Sequence, residues 1–202
     1  DACNNSVTVV HEISINDTTA PSVTGALAPV LLEGCSPADA PAGIATITDL
    51  EALPGGVIIT DGCTPKAALV VTYTDVTSGT CPVTLTRTYT VTDGCGNSSG
   101  LTQVITIVDS TIPALTGCPS DIAVGTDPGS CFATVTWVDP LMTDNCGAVN
   151  VVSSHNSGDL FPTGITTVTI TGTDNCGLTV TCTFNVTVTD SELPALVCPA
   201  SV

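Results

Sequence analysis

The sequence predicts an all-β protein built of tandem β-sandwich modules stapled by disulfides, and three observations lead there. A signature recurs three times, near Asp1, Thr92 and Thr173: a cysteine at a turn, an alternating strand, an aspartate, a proline. Asp17, Asp109 and Asp190 each lie 14 residues after Cys3, Cys95 and Cys176, and Pro21, Pro113 and Pro194 follow four residues later. Such internal repetition describes an array of similar units. Thr and Val dominate the chain and aromatic residues are 3% of it, a composition that favours strands over helices. Finally, the signature cysteines step by 92 and 81 positions, a normal length for a sandwich module.

Taken in order, residues 1–20 form a loop and one strand, VTVVHEISIND, with no partner in their own module. They are expected to be the terminal strand of a preceding or neighbouring module. Module one, residues 21–112, offers strands at 23–33, 44–48, 56–60, 68–74, 83–93 and 101–109. Module two, residues 113–190, offers 121–125, 132–139, 148–154, 166–174 and 178–190. Residues 191–202 repeat the opening of module two (LPALVCPASV beside IPALTGCPSDIAV) and read as the start of a further module. Period-two alternation is clearest in VTLTRTYTV and TTVTITG, placing Val, Leu, Tyr and Ile on one face and Thr or Arg87 on the other. TDPG, LPGG and the D-x-C-G loops supply the turns between strands.

Charge narrows the function classes. Lys66 and Arg87 are the only cations against 19 carboxylates, for a net charge of −17. That balance repels nucleic acid and anionic membranes and attracts divalent cations, although acidity also serves solubility alone. Hydrophobic residues make up 43% and alternate regularly, which argues against disorder. No run approaches the roughly 18 apolar residues of a membrane-spanning helix. With no leader pattern, the chain reads as a mature or excerpted segment. Eleven cysteines without CxxC clustering read as a disulfide framework rather than a zinc site, in an oxidising, extracellular compartment.

Module two resembles the HYR (hyalin repeat) domain. The matching residues are CPSDIAV, DPGSCFATVTW, the DP-x-x-TDNCG loop, SGDLFPTGITTVTITGTDN and TCTFNVTV. It departs from that pattern where DNCG, with the added Cys176, replaces the usual D-x-x-GN turn. Module one resembles the Ig-like repeats that accompany HYR modules in large surface proteins of Bacteroidota, through TRTYTVTDGCGNSS, QVITIVDSTIP, GCSPADAP and TDLEALPGG. The resemblance implies Ig-like or fibronectin-III-like sandwiches in tandem.

An Ig-like sandwich alternates its loops between two poles. A strand from Cys81 to Cys95 would stretch about 40 Å, far beyond a disulfide's reach, so those two belong to opposite poles. The expected pairs in module one are therefore Cys63–Cys95 and Cys35–Cys81. In module two they are Cys146–Cys176 and Cys118–Cys182, with Cys131–Cys146 as a rival that would leave Cys176 unbonded. Cys3 and Cys198 match Cys95 and Cys118, so their partners are expected in modules outside the segment, or alternatively in neighbouring chains.

The aspartates fall into sets by pole. Asp61 and Asp93 tip module one near linker residue Asp17, and Asp144 and Asp174 tip module two near linker residue Asp109. Carboxylates meeting at a junction suit Ca²⁺, which takes six to eight oxygen ligands, and bound calcium would stiffen the array. The alternative is that each aspartate only closes an Asx turn. Asn4, Asn16, Asn97 and Asn185 satisfy N-x-S/T, a pattern frequent in a Thr-rich chain. The resemblance to Bacteroidota proteins implies O-glycosylation at Asp17-Thr18-Thr19 and Asp109-Ser110-Thr111, with Thr18 and Ser110 as the acceptors. His11 and His155 have no catalytic constellation around them, and Trp137 reads as an inward core residue. The expected function is thus non-catalytic: a repeat segment of an extracellular bacterial stalk, adhesin or filament, with adjacent copies or modules as partners. Val7, Val9, Ile13 and Ile15 would complete a sheet of a missing upstream module, or less simply of a neighbouring chain. A module binding surface glycans or a host surface, or an accessory segment of a secreted hydrolase, are the alternatives.

Overall fold

The computed structural model describes residues 2–194. Cys198, and most of the further module expected from residue 191, lie outside the described residues. The chain divides into two compact units. One holds the residues up to Leu31, Ala40–Ser78 and Thr84–Thr106; the other holds Leu32–Asp39, Gly79–Val83 and the residues from Ile107 on.

The module-one sequence forms β1 (Ser22–Thr24), β2 (Val30–Glu33), a short helix α1 (Ile47–Ala52), β3 (Ile58–Thr60), β4 (Val70–Ser78), β5 (Val83–Thr92) and β6 (Ser98–Val108). A four-stranded sheet runs β2-β6-β5-β4, and β1 pairs with β3. The hairpin β4–β5 is antiparallel from Val70↔Thr92 to Ser78↔Thr84. Tyr89, Val91, Leu50 and Ile59 lie at the centre of the first unit's core.

Three expectations fail in this module, and the first is the single strand at 23–33, which Gly25, at a φ of 84°, breaks off after β1 so that β2 starts only at Val30. Residues 44–48 are not a strand, because a helix cap decides the local structure. The Thr46 hydroxyl accepts from the Asp49 amide (3.2 Å) and donates to its carboxylate (2.7 Å), opening α1. Ile47 and Leu50, one turn apart, are then buried on one helix face. Arg87 was expected outward with the threonines, yet on β5 it shares the buried face with Val83, Leu85, Tyr89 and Val91. It is 4% exposed. Its guanidinium donates twice to Asp75, its direct partner across the ladder, at 2.8 Å each, and a third time to the Pro41 carbonyl at 2.8 Å. The Tyr73 ring lies 4.9 Å beneath it. Bidentate pairing makes a charge tolerable in that place.

The module-two sequence forms β7 (Ala114–Thr116), β8 (Ile122–Gly125), β9 (Phe132–Thr134), β10 (Leu141–Thr143), β11 (Asn150–Ser153), β12 (Leu160–Pro162), β13 (Gly164–Thr173) and β14 (Thr179–Thr189). Its main sheet runs β11-β13-β14-β8, with β10-β7 and β12-β9 as flanking pairs. The ten-residue β13–β14 hairpin is antiparallel, whereas β8 joins β14 in parallel from Val186↔Ile122. Phe161, Val168, Ile170, Phe184 and Val186 form the core, and Trp137 packs partly buried against it, its ring edge-on to Phe184 at 5.2 Å. The protein is all-β, a pair of β-sandwich sequences with one short α-helix among the described residues.

The repeated proline has a packing role, since Pro21 and Pro113 are both fully buried. The N-terminal segment differs from both modules. Residues 7–16 join no strand ladder in the described chain, and Val7, Val9, Val10, Ile13 and Ile15 are 74–94% exposed.

Asp75→Asn would leave the Arg87 guanidinium buried without its counter-charge. The expected cost is about 3 kcal/mol, measured by urea denaturation. The Arg87 hydrogen bonds hold the Asp75 carboxyl below the usual carboxylate range. Its contribution to stability is therefore complete above about pH 4 and lost as pH falls through the lowered value. The mutant's acid-unfolding curve should lack that component.

Candidate functional site

Among the described residues, four loops carry an aspartate two residues before a cysteine, and each is closed the same way. One oxygen, Oδ1, accepts the amide of that cysteine: Asp61 from Cys63 (3.0 Å), Asp93 from Cys95 (2.8 Å), Asp144 from Cys146 (2.8 Å) and Asp174 from Cys176 (2.7 Å). Linker residues Asp17 and Asp109 accept in the same manner from Thr19 (2.9 Å) and Thr111 (3.1 Å). The Asx-turn reading therefore describes Oδ1 correctly.

It leaves Oδ2 unexplained. In Asp17, Asp61, Asp109, Asp144 and Asp174 that oxygen is buried and accepts no hydrogen bond. Asp93 differs because Asn97 donates to its Oδ2 at 2.8 Å, and Asn97 also reaches the Asp17 carbonyl at 3.1 Å. The Asn97 side chain is the first cause of the lowered Asp93 pKa. Ligand atoms of Asp17, Asp61 and Asp93 lie within 4.8 Å of one another, as do those of Asp109, Asp144 and Cys146. The Cys146 sulfur, rather than Asp174, completes the second close group, and that sulfur is in a disulfide. Like charges at this separation repel, and a buried carboxylate oxygen without a donor is costly. Cys63 feels the same field: the Asp17 carboxylate, ahead of burial, raises its thiol above the usual range.

The cysteine pairing corrects most of the sequence-based expectation. Cys35 bonds Cys146, and Cys81 bonds Cys176. Each bond joins residues 21–112 to residues 113–190, and both lie inside the second compact unit. Cys35–Cys81, Cys146–Cys176, Cys63–Cys95 and the rival Cys131–Cys146 are not formed; Cys63, Cys95 and Cys131 are exposed thiols. The reason is that pole-sharing was applied within each module, whereas partners come from the loops of successive modules. Cys118–Cys182 is formed, as the strand positions led us to expect.

Both linker hydroxyls expected to carry glycans are exposed. Thr18 stands open, whereas the Ser110 hydroxyl donates to Glu33 at 2.7 Å. Glu33 also holds the Ser110 amide (2.9 Å) and the Thr111 hydroxyl (3.3 Å). Glu33 and Asn97 were missed by sequence reasoning: Glu33 lies 77 positions from Ser110, and Asn97 was read only as a sequon. His11 is exposed, and the half-buried His155 lies against the Phe161 ring at 5.2 Å.

With this geometry in place, the comparisons bear on module two. Residues 108–188 match the family described as HYR domain. This segment is similar to HYR domains. Hyalin of Strongylocentrotus purpuratus is 36% identical over 124 residues, which is 58% of this chain and 10% of that protein. Sushi, von Willebrand factor type A, EGF and pentraxin domain-containing protein 1 of Rattus norvegicus is 37% identical over 114 residues, 53% of this chain and 3% of that protein. The chain thus spans a small part of these relatives. Among solved structures, human mucin-like protocadherin EC1-2 aligns with 84% of this chain and 99% of its own, at 12% identity and a TM-score of 0.32. Mouse cadherin-23 EC22-24 aligns with 85% of this chain and 65% of its own, at 13% identity and a TM-score of 0.31.

Replacing Cys35 by Ser together with Cys146 by Ser opens a closure of 111 residues that ends inside residues 108–188. The expected loss is roughly 4 kcal/mol, read from the denaturation midpoint under non-reducing conditions.

Proposed function

We propose that the chain is a structural, non-catalytic segment of an extracellular array, in which successive sandwich sequences are covalently joined. The observation that supports this reading most is the joint itself. Two disulfides, Cys35–Cys146 and Cys81–Cys176, tie loops of one sequence module to loops of the next, beside carboxylates that lack donors. Disulfides of this density belong to oxidising compartments, and the strongly acidic surface suits exposure to water. A bacterial surface stalk, adhesin or filament is the setting, on the resemblance of residues 21–112 to Bacteroidota repeats. Residues 7–16 serve as the closing strand of a preceding sandwich. Glycans on Thr18 and Ser110 would shield the linkers from proteases.

The carboxylate groups fit calcium. Asp109 and Asp174 are 8% and 7% exposed, each with a buried oxygen that accepts nothing, and Asp144 adds another beside Asp109. Hard anionic oxygens without donors are what a Ca²⁺ ion binds, whereas the sulfur of Cys146, being bonded, is no ligand. Asp17, Asp61 and Asp93 would hold one ion, and Asp109, Asp144 and Asp174 another. Bound there, calcium would neutralise the mutual repulsion and fix each joint.

Calorimetric titration with CaCl₂ should give two ions per chain, falling to one in the Asp109→Asn, Asp144→Asn double variant. For a dissociation constant near 10 µM, 1 mM calcium stabilises by about 2.7 kcal/mol per site, so the melting midpoint should rise over that in EDTA. In EDTA the variant should melt no lower than the parent, because a repulsive pair has been removed. A midpoint indifferent to calcium would sink the calcium part of the reading and leave the disulfide-joined array standing.

A further inference from the structure

Cys63 and Cys95 are the residues that the proposed array leaves unexplained. Their loops repeat those of Cys146 and Cys176 in sequence: TDGC (60–63) beside TDNC (143–146), and TDGCG (92–96) beside TDNCG (173–177). The backbone agrees as well. In the Cys95 loop the Asp93 amide donates to the Asn97 carbonyl (3.0 Å) and the Gly96 amide to the Asp93 carbonyl (3.3 Å). In the Cys176 loop the Asp174 amide donates to Leu178 (3.0 Å) and the Gly177 amide to Asp174 (3.3 Å). Gly96 and Gly177 share a left-handed φ, 91° and 85°, that carries the chain out of the turn. The same aspartate bond to the cysteine amide closes all four loops. Yet Cys146 and Cys176 are bonded, and Cys63 and Cys95 are exposed with no disulfide.

The N-terminal segment says what is missing. Its signature aligns Asp17 with Asp109, the residue that follows β6, so residues 7–16 correspond to β6 and to β14. By that register Val9, His11, Ile13 and Ile15 fall on the positions of Cys182, Phe184, Val186 and Val188, which are buried in β14. Residues 7–16 thus carry the residue pattern of a last strand and pair with no strand among the described residues. The sandwich closed by β6 is the one whose sequence supplies Cys35 and Cys81 to the next pole.

We infer that Cys63 and Cys95 are the acceptors of two disulfides from the sandwich that residues 7–16 close. That sandwich carries one cysteine in the loop after its second strand and one in its central hairpin turn, as Cys35 and Cys81 stand here. Each bond forms by exchange with a disulfide-donor protein. One thiolate attacks the donor disulfide and expels a donor thiolate; the second cysteine's thiolate attacks the mixed disulfide and expels the other. The donor leaves as a dithiol carrying both protons and both electrons. The inference rests on the array reading but not on calcium, so a calcium-free joint leaves it intact.

The test is non-reducing peptide mapping of the full-length protein from its native source, blocked with N-ethylmaleimide before digestion. Cys63 and Cys95 should each appear joined to a different cysteine peptide, with no maleimide on either. A direct Cys63–Cys95 peptide, or maleimide on either residue, would overturn the inference. Denaturing gels run without reductant separate the two sources of the donor cysteines. A single band that does not shift to lower mass on reduction places them upstream in the same polypeptide; a ladder that collapses on reduction places them in a neighbouring copy.

Discussion

Everything at the poles depends on one hydrogen bond, from a cysteine amide to the carboxylate two residues before it. A turn this tight would otherwise strand the amide where no backbone acceptor reaches it. With Oδ1 in place, the loop is rigid and its cysteine points in one direction, which is what allows a sulfur atom to meet another far away in sequence. The same act commits the second oxygen to an interior position. Asp61, Asp144 and Asp174 each spend one oxygen on shape and are left with another that needs a cation or a donor. Only Asp93 finds a donor in its own loop, through Asn97. Loop geometry and the demand for positive charge are therefore inseparable in this chain.

The two modules fill their interiors by different means despite sharing that device. Residues 108–188 gather Phe161, Phe184 and Trp137 at edge-to-face distances, a conventional apolar centre. Residues 21–112 have no phenylalanine or tryptophan. Tyr89 and aliphatic side chains take that place, and Arg87 lies along the same buried face with its charge satisfied by Asp75. A large side chain that is polar only at its tip does the filling, at the risk that its single counter-ion cannot be removed without penalty.

Much of the fold could be read from alternation. The long hairpins β4–β5 and β13–β14, and strands β6 and β14, fall where Thr and Val trade places, because one buried face forces that period on the sequence. Short strands such as β7 and β10 carry three residues each, too few to show any period. The helix at Ile47 hid inside a β-branched run, since a single cap outweighed side-chain propensity. Arg87 was misplaced for a plainer reason: its position in the alternation already matched Leu85 and Tyr89, and its charge was allowed to overrule the register. The set of Asp17, Asp61 and Asp93 was legible from repetition, whereas Asp174 falls outside the close group of Asp109 and Asp144. The disulfide partners were not legible, because they depend on which loops meet across successive modules, and no spacing within one module encodes that.

The crossing of two disulfides also limits how far the chain can be drawn out. Cys35–Cys146 and Cys81–Cys176 are interleaved in sequence, so a pull on the two ends is carried through sulfur and not along the whole backbone. Thirty residues separate Cys146 from Cys176, and this is the longest slack that the shortest covalent path between Cys35 and Cys176 contains. At about 3.4 Å per residue that is on the order of 100 Å, against nearly five times as much for the uncrosslinked chain. Even with every strand torn open, this part of the chain would behave as a short tether.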